Sequence, residues 1–227
     1  GVVQPVPEIA DRCAAAGVPF HSDVVQAFGR IPTPLGGTAV TMATISGHKL
    51  GAPKGIGALI VRGSASLSPI IHGGGQQREI RPGTENIAGA VGLARAAVLA
   101  VTEQAQETRR LTGLRDELLA ALRAAIPDLV LAGEGAPRAP HILNVMIPGA
   151  DSGTILMHLD MAGVAASGGS ACTTGAVEPS HVLSAMGVPR ELAIGALRLS
   201  FGRETTTEEI LRVAAIIPAI VSRARGV

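Results

Sequence analysis

Apolar positions along this chain follow two periods. From Pro7 to Ala16 the residues Ile9, Cys13 and Ala16 recur at helical spacing, and Gly17 stands where the left-handed residue after a helix belongs. Val18 to His21 reads as a short buried strand, and VTMATIS and GALIVR read as two more, set apart by glycine and proline turns. That alternation over residues 1–92 predicts a layered α/β sheet. From Glu85 to Ala125 the period lengthens into one long helix rich in Ala, Leu, Arg and Glu, broken by Pro127 and the stretch GEGAPRAP. Beyond it the pattern predicts a strand at HILNVMI, a helix from Ser152 to Met161 and a small-residue loop from Ser167 to Gly175. A helix after Pro179, a strand at LRLSF and a final helix complete the chain. Thr205 with Glu208 and Thr206 with Glu209 both fit a capping box for the last helix, and Pro218 predicts a kink in it. The expected organisation is a sheet-bearing domain over 1–92, then a linking helix and a smaller α+β domain over 93–227. Because the chain opens GVVQPVPEIADRC straight into helix, turn and strand, it reads as the C-terminal part of a longer protein.

Composition narrows the function classes. With 227 residues, 47% hydrophobic and 16% charged, the chain can bury a substantial core. A net charge of +1 gives no basis for nucleic-acid or membrane-surface binding. Three Phe and no Trp or Tyr predict an aliphatic core and remove the usual platforms for stacking bases. The apolar run IAGAVGLARAAVLAV is read as too short for a bilayer and carries Arg95. Cys13 and Cys172 make no disulfide framework, and a soluble cytoplasmic protein is expected. His141, His158 and His181 lack metal-ligand spacing, so no metal is expected. GAPKGIG lacks the Lys-Ser/Thr that closes a phosphate loop and reads as a turn before an edge strand.

The candidate chemistry begins at ISGHKLGAPKG, where Lys49 follows Ser46 and His48 at the end of an apolar run. Ligands of α/β sheets bind at the carboxyl ends of strands, so such a lysine faces the ligand crevice. An amine that forms a Schiff base has to be partly desolvated, and Ser46 and His48 are suitable phosphate neighbours. The alternative is an ordinary loop lysine. Asp23 ends the run VPFHSD, with Gln26 three residues on. A carboxylate there suits a protonated pyridine nitrogen; its alternative role is a helix N-cap. Taken together, Asp23 and Lys49 favour the cofactor reading.

In order, HSDVVQAFG, ISGHKLGAPKGIGALIVR, HGGGQQREIRPGTEN, SGGSACTTGAVEPSHVLSAMG and LRLSFGR resemble the group I cysteine desulfurases, of the iron–sulfur cluster assembly and nitrogen-fixation type within the class V aminotransferase superfamily. The resemblance implies the pyridoxal-phosphate-dependent transferase fold type I, and conversion of L-cysteine to L-alanine by a homodimer that passes sulfur to an acceptor protein such as an iron–sulfur scaffold. It implies Lys49 as the lysine that carries pyridoxal 5'-phosphate and moves the substrate's Cα proton. Asp23 pairs with the ring nitrogen, Gln26 with the ring oxygen, and Ser46 and His48 with the phosphate. Thr84 reaches the phosphate of the partner subunit, and Arg198 grips the substrate carboxylate. Gln77 departs from the glutamate usual in that motif. The resemblance lacks the family's N-terminal part, with its ring-stacking histidine. Cys172 lies in SGGSACTTG, a segment without large apolar side chains, which suits a nucleophile that travels and leaves as a persulfide. Cys13, on the apolar face of its helix, reads as core. The alternatives are a selenocysteine lyase or class V transaminase, and a non-catalytic remnant that keeps interaction surfaces.

Overall fold

The computed structural model describes residues 1–33, 35–63, 65–168 and 179–226. They form two compact units, one of Gln4–Gln106 and one of Gly1–Val3 with Glu107–Val227. The division therefore falls between Gln106 and Glu107 instead of at residue 92. The reason is that one helix runs unbroken from Ile87 to Ala125, so no change of sequence pattern marks the place where packing changes hands.

The first unit opens with α1, Val6–Ala15. Gly17 at φ +69° closes it: Gly17 N–H donates to Ala14 O at 3.0 Å and Val18 N–H to Cys13 O at 2.8 Å, both bonds of a Schellman motif. That closure uses Val18, so the strand predicted from Val18 starts later, as β1, His21–Asp23. Only Ala10 of α1 is fully buried, and Cys13 is half-buried rather than core. β2, Met42–Ser46, pairs in parallel with β1, and β3, Gly57–Val61, pairs antiparallel with β2 in the order β1-β2-β3. Val24, Val40, Ala43, Ile45, Ala10 and Leu93 form the core, aliphatic as expected. Arg62 holds the β1–β2 connection by donating to the carbonyls of Leu35, Gly36, Thr38 and Val40.

The helix α2, Ile87–Ala125, is long and apolar enough to cross a membrane by length and composition, so the sequence argument from a short apolar run does not hold. Within the first unit Ile87, Val91, Ala94, Val98, Val101 and Ala105 are all exposed. Their spacing of four and three is that of a heptad seam. The later part of α2 behaves differently: Leu111, Leu114, Leu118 and Leu122 are buried at helical spacing in the second unit.

That second unit is built on an antiparallel sheet ordered β4-β5-β6, with β4 Val130–Leu131, β5 Ile142–Met146 and β6 Ala196–Ser200. Its inner face, Leu143, Val145, Leu197 and Leu199, packs with α3, Ser152–Met161, and α6, Thr207–Ala224. Its other face carries Met146 and Ala196, packed with Leu183 of α4, His181–Ala185, and Ala193 of α5, Arg190–Ala193. Asp151 caps α3 through Thr154 N–H at 2.8 Å. Of the two capping boxes the sequence allowed, Thr206 with Glu209 forms, and Thr205 Oγ1 instead accepts from Gly202 N–H at 2.8 Å. Arg110 ties this turn down by donating to Gly202 O at 2.9 Å, Arg203 O at 3.0 Å and Thr205 O at 2.6 Å. Pro218 lies inside α6, which continues to Ala224.

Gly195 is the tightest point of this unit, since a Cβ there would stand 2.1 Å from Ile147 O and 2.9 Å from Ala150 O. Gly195→Ala therefore forces the backbones apart and is expected to cost more than ~3 kcal/mol in urea unfolding. Thr206→Ala, which removes one side of the capping box, is expected to cost only ~1 kcal/mol.

Candidate active site

The site starts from strand alternation. In β1 Ser22 is buried while His21 and Asp23 are exposed; in β2 Ala43 and Ile45 are buried while Thr44 and Ser46 turn to the other face. The parallel register His21↔Met42, Ser22↔Ala43, Asp23↔Thr44 sets His21, Asp23, Thr44 and Ser46 on one face. Because β1 and β2 run the same way, Asp23 and Ser46 both mark carboxyl-terminal ends, the edge where α/β sheets bind ligands. His21 Nε2 and Thr44 Oγ1 lie 2.6 Å apart, cross-linking the two strands under that edge. Neither residue stood out in the sequence, although the alternation of HSD beside TIS carries the signal once the pairing is known.

Asp23 serves two purposes. One carboxylate oxygen accepts from Val25 N–H at 2.8 Å, which is the capping role open to it in the sequence. The other oxygen receives no hydrogen bond from the described residues. Gln26 is exposed on the turn that this cap starts.

After β2 the chain enters a single tight turn, Gly47–Lys49. Glycine is required at its start: a Cβ on Gly47 would lie 2.7 Å from Ile56 Cγ2 and 3.0 Å from Ile56 O, while Gly47 N–H donates to that same carbonyl at 2.9 Å. Ser46 Oγ and His48 Nδ1 are 2.9 Å apart, so hydroxyl and imidazole act as a pair. With Nδ1–H donating to Ser46 Oγ, the hydroxyl hydrogen is left to meet an anion. The backbone of Lys49 is held by Arg30, whose Nη2 donates to Lys49 O at 3.1 Å. The Lys49 side chain is exposed instead of partly desolvated, on a turn of which Gly47 is buried and Leu50 packs against the core.

Thr84 is exposed in the connection before α2, near Gly83, whose N–H donates to Gln76 Oε1 at 3.1 Å. Gln77, Arg78 and Glu79 are consecutive left-handed residues, at φ 50°, 58° and 65°. None is glycine, so each stores roughly 1–2 kcal/mol. Asp23, Gln26, Ser46, His48, Lys49 and Thr84 all belong to the first unit.

Arg198 belongs to the second, at the centre of β6. Its backbone is clamped to Ser167, with Arg198 N–H donating to Ser167 O at 2.6 Å and Ser167 N–H to Arg198 O at 3.2 Å. Its Nε is sealed from solvent without a hydrogen-bond partner among the described residues. Cys172 lies outside the described residues.

The family model "Aminotransferase class-V" matches residues 1–213. The chain belongs to the class-V aminotransferases. Among curated relatives of this family, the chain is 45% identical over 225 residues to a cysteine desulfurase of Gluconacetobacter diazotrophicus, covering 99% of the chain and 56% of the relative. It is 41% identical over 227 residues to the cysteine desulfurase NifS of Azotobacter vinelandii, covering all of the chain and 56% of the relative. A NifS-like protein of Rickettsia africae superposes with a TM-score of 0.88 at 31% identity, over 97% of the chain and 58% of the solved structure. DndA of Streptomyces lividans gives 0.72 at 39% identity, over 88% and 57%. The chain thus spans little more than half the length of the relatives it matches. The likeness to NifS-like structures supports the expected α/β class, fold type I of the pyridoxal-phosphate-dependent transferases.

The two uses of Asp23 are separable by substitution. Asp23→Asn keeps an oxygen for Val25 N–H and is expected to unfold within ~0.5 kcal/mol of the wild type, whereas Asp23→Ala loses the bond and costs ~1 kcal/mol. Chemical denaturation of the two variants checks this.

Proposed function

We propose that this class-V aminotransferase chain serves a cysteine desulfurase, converting L-cysteine to L-alanine with the sulfur leaving as a persulfide on Cys172. The observation that carries the reading is the grouping of Asp23 with Ser46, His48 and Lys49 at the carboxyl ends of two adjacent parallel strands. That donor set fits pyridoxal 5'-phosphate: a hydroxyl–imidazole pair for the phosphate, a carboxylate oxygen open to a ring N–H, and an exposed amine for the aldehyde carbon. Relatives bearing the name cysteine desulfurase along the whole chain support the substrate.

Pyridoxal phosphate, when bound, supplies an electron sink that stabilises negative charge at the substrate Cα. Lys49 would hold the cofactor through its amine and would move the proton at the substrate's Cα. Asp23 keeps the ring nitrogen protonated, and Gln26 meets the ring oxygen. Arg198 orients the substrate through its carboxylate, for which a planar fork of donors is suited. The Cys172 thiolate takes the sulfur: an S–S bond forms as the substrate's Cβ–S bond breaks, the electron pair of that bond stays with Cβ, which takes up a proton, and alanine leaves. A homodimer in which Thr84 contacts the partner's cofactor phosphate, a sulfur-accepting protein such as an iron–sulfur scaffold, and a cytoplasmic location complete the proposal.

Two variants of the full-length protein test it. Lys49→Ala is expected to lose the visible cofactor band and its fixation by borohydride; retention of borohydride-fixable cofactor assigns the role to another lysine. Cys172→Ser is expected to keep that band, and its change on addition of L-cysteine, while losing persulfide formation, because a hydroxyl is a far poorer nucleophile toward sulfur than a thiolate. Mass spectrometry after treatment with L-cysteine locates the added sulfur, and finding it on Cys13 removes Cys172 from the mechanism.

A further inference from the structure

The strand pair that carries Arg198 holds a second sealed polar atom. Arg198 Nε and Asn144 Oδ1 are both buried, and neither has a hydrogen-bond partner among the described residues. The two residues are direct cross-strand neighbours in β5 and β6. Flanking bonds define the kind of pair they form. Phe201 N–H donates to His141 O at 2.9 Å and Ile147 N–H to Gly195 O at 3.0 Å, so 141/201 and 147/195 are hydrogen-bonded pairs. Alternation along an antiparallel ladder then makes Asn144/Arg198 a non-hydrogen-bonded pair, with Cα atoms about 4.5 Å apart and side chains at their closest. The backbones agree, since Asn144 O turns outward to Ala132 N–H at 3.0 Å and Arg198 turns outward to Ser167.

A buried donor and a buried acceptor, each without a partner among the described residues, therefore stand on directly opposed residues of a non-hydrogen-bonded pair, where cross-strand side chains come closest. We infer that Asn144 is a positioning residue for Arg198: its Oδ1 accepts the Nε–H when the guanidinium engages a carboxylate, leaving the two Nη groups to grip that carboxylate end-on. This rests on the reading of Arg198 given under the proposed function. A carboxylate takes two parallel N–H groups from a guanidinium, either Nε with one Nη or both Nη together. Occupying Nε selects the second mode and fixes the plane of the fork. The amide's neutrality matters equally, because an aspartate at 144 would satisfy Nε–H while cancelling the charge that attracts the ligand. Met146 and Ala196, two residues away on the same face, are almost fully buried, and hydrogen bonds strengthen in such surroundings.

The test uses the full-length protein loaded with pyridoxal phosphate and compares L-cysteine with cysteamine, which has the same amine and thiol but no carboxylate. Spectral titration of the wild type is expected to show tighter binding of L-cysteine. In Asn144→Leu the affinity for L-cysteine falls roughly tenfold while that for cysteamine holds, and KM for L-cysteine rises by more than kcat falls. Asn144→Ser, too short to reach Nε, gives the same selective loss and serves if the leucine variant does not fold. Equal losses for both ligands reduce Asn144 to a structural role and overturn the inference, as does full retention of the preference for L-cysteine in either variant. If the wild type itself binds cysteamine as tightly as L-cysteine, the assignment of Arg198 fails first.

Discussion

The parallel register of β1 on β2 is the constraint on which the candidate site depends. A strand shows alternate residues to alternate faces, so a one-residue slip of β1 would carry Asp23 into the core and bring Ser22 out, and a slip of β2 would do the same to Ser46 and to Ala43 and Ile45. Burial of Val24, Ala43 and Ile45 against Ala10 and Leu93 forbids that slip. The same burial thus does two things: it holds the first unit together, and it keeps the hydroxyl, imidazole, carboxylate and amine at one edge. The bond between His21 and Thr44 reinforces the register from the polar side. Arg62, gathering the carbonyls of the β1–β2 connection, stands in for the crossover helix that usually joins parallel strands.

The second unit solves a similar problem with antiparallel strands. Leu143, Val145, Leu197 and Leu199 supply the apolar face on which α3 and α6 pack, and this leaves Asn144 and Arg198 together on the other. An arginine in mid-strand is costly unless its charge has a use, and here part of its guanidinium is sealed without a partner among the described residues. Such a group weakens the fold on its own, and under the proposed function a bound carboxylate would recover that cost, the arrangement expected of a binding residue held ready by packing.

Much of this was legible in the sequence, for identifiable reasons. Long periodic segments announce themselves: the helix after Glu85, the helix from Ser152 and the strands at MATIS, GALIV, ILNVM and ALRLS all lie where the apolar pattern puts them. Asp23 and Lys49 were visible because chemistry-bearing residues at strand ends interrupt an apolar pattern. Less could be read where one residue has two uses. Val18 looks like the start of a strand but closes the Schellman turn of α1. Cys13 has helical spacing, yet α1 buries little beyond Ala10. The division at Gln106 leaves no mark, because a helix that passes from one packing environment to another needs no break. Asn144 is silent for a further reason: an asparagine in an apolar strand gains meaning only through its cross-strand neighbour, and the register is a property of the folded sheet.

Lys49 and Arg198 share a design that links structure to chemistry. In both, the main chain is tied and the side chain is left available: Arg30 donates to the carbonyl of Lys49, and Ser167 brackets both backbone groups of Arg198. Fixing the backbone removes part of the conformational freedom that a ligand would otherwise have to freeze, the side-chain rotamers remaining to be ordered. The Gly47 turn adds to this, since its close approach to Ile56 fixes where the turn that carries the lysine begins. Under the proposed function, binding would then order side chains without also ordering the main chain that carries them, and more of the free energy of contact would go into orientation at the reacting carbon, where small displacements are expensive.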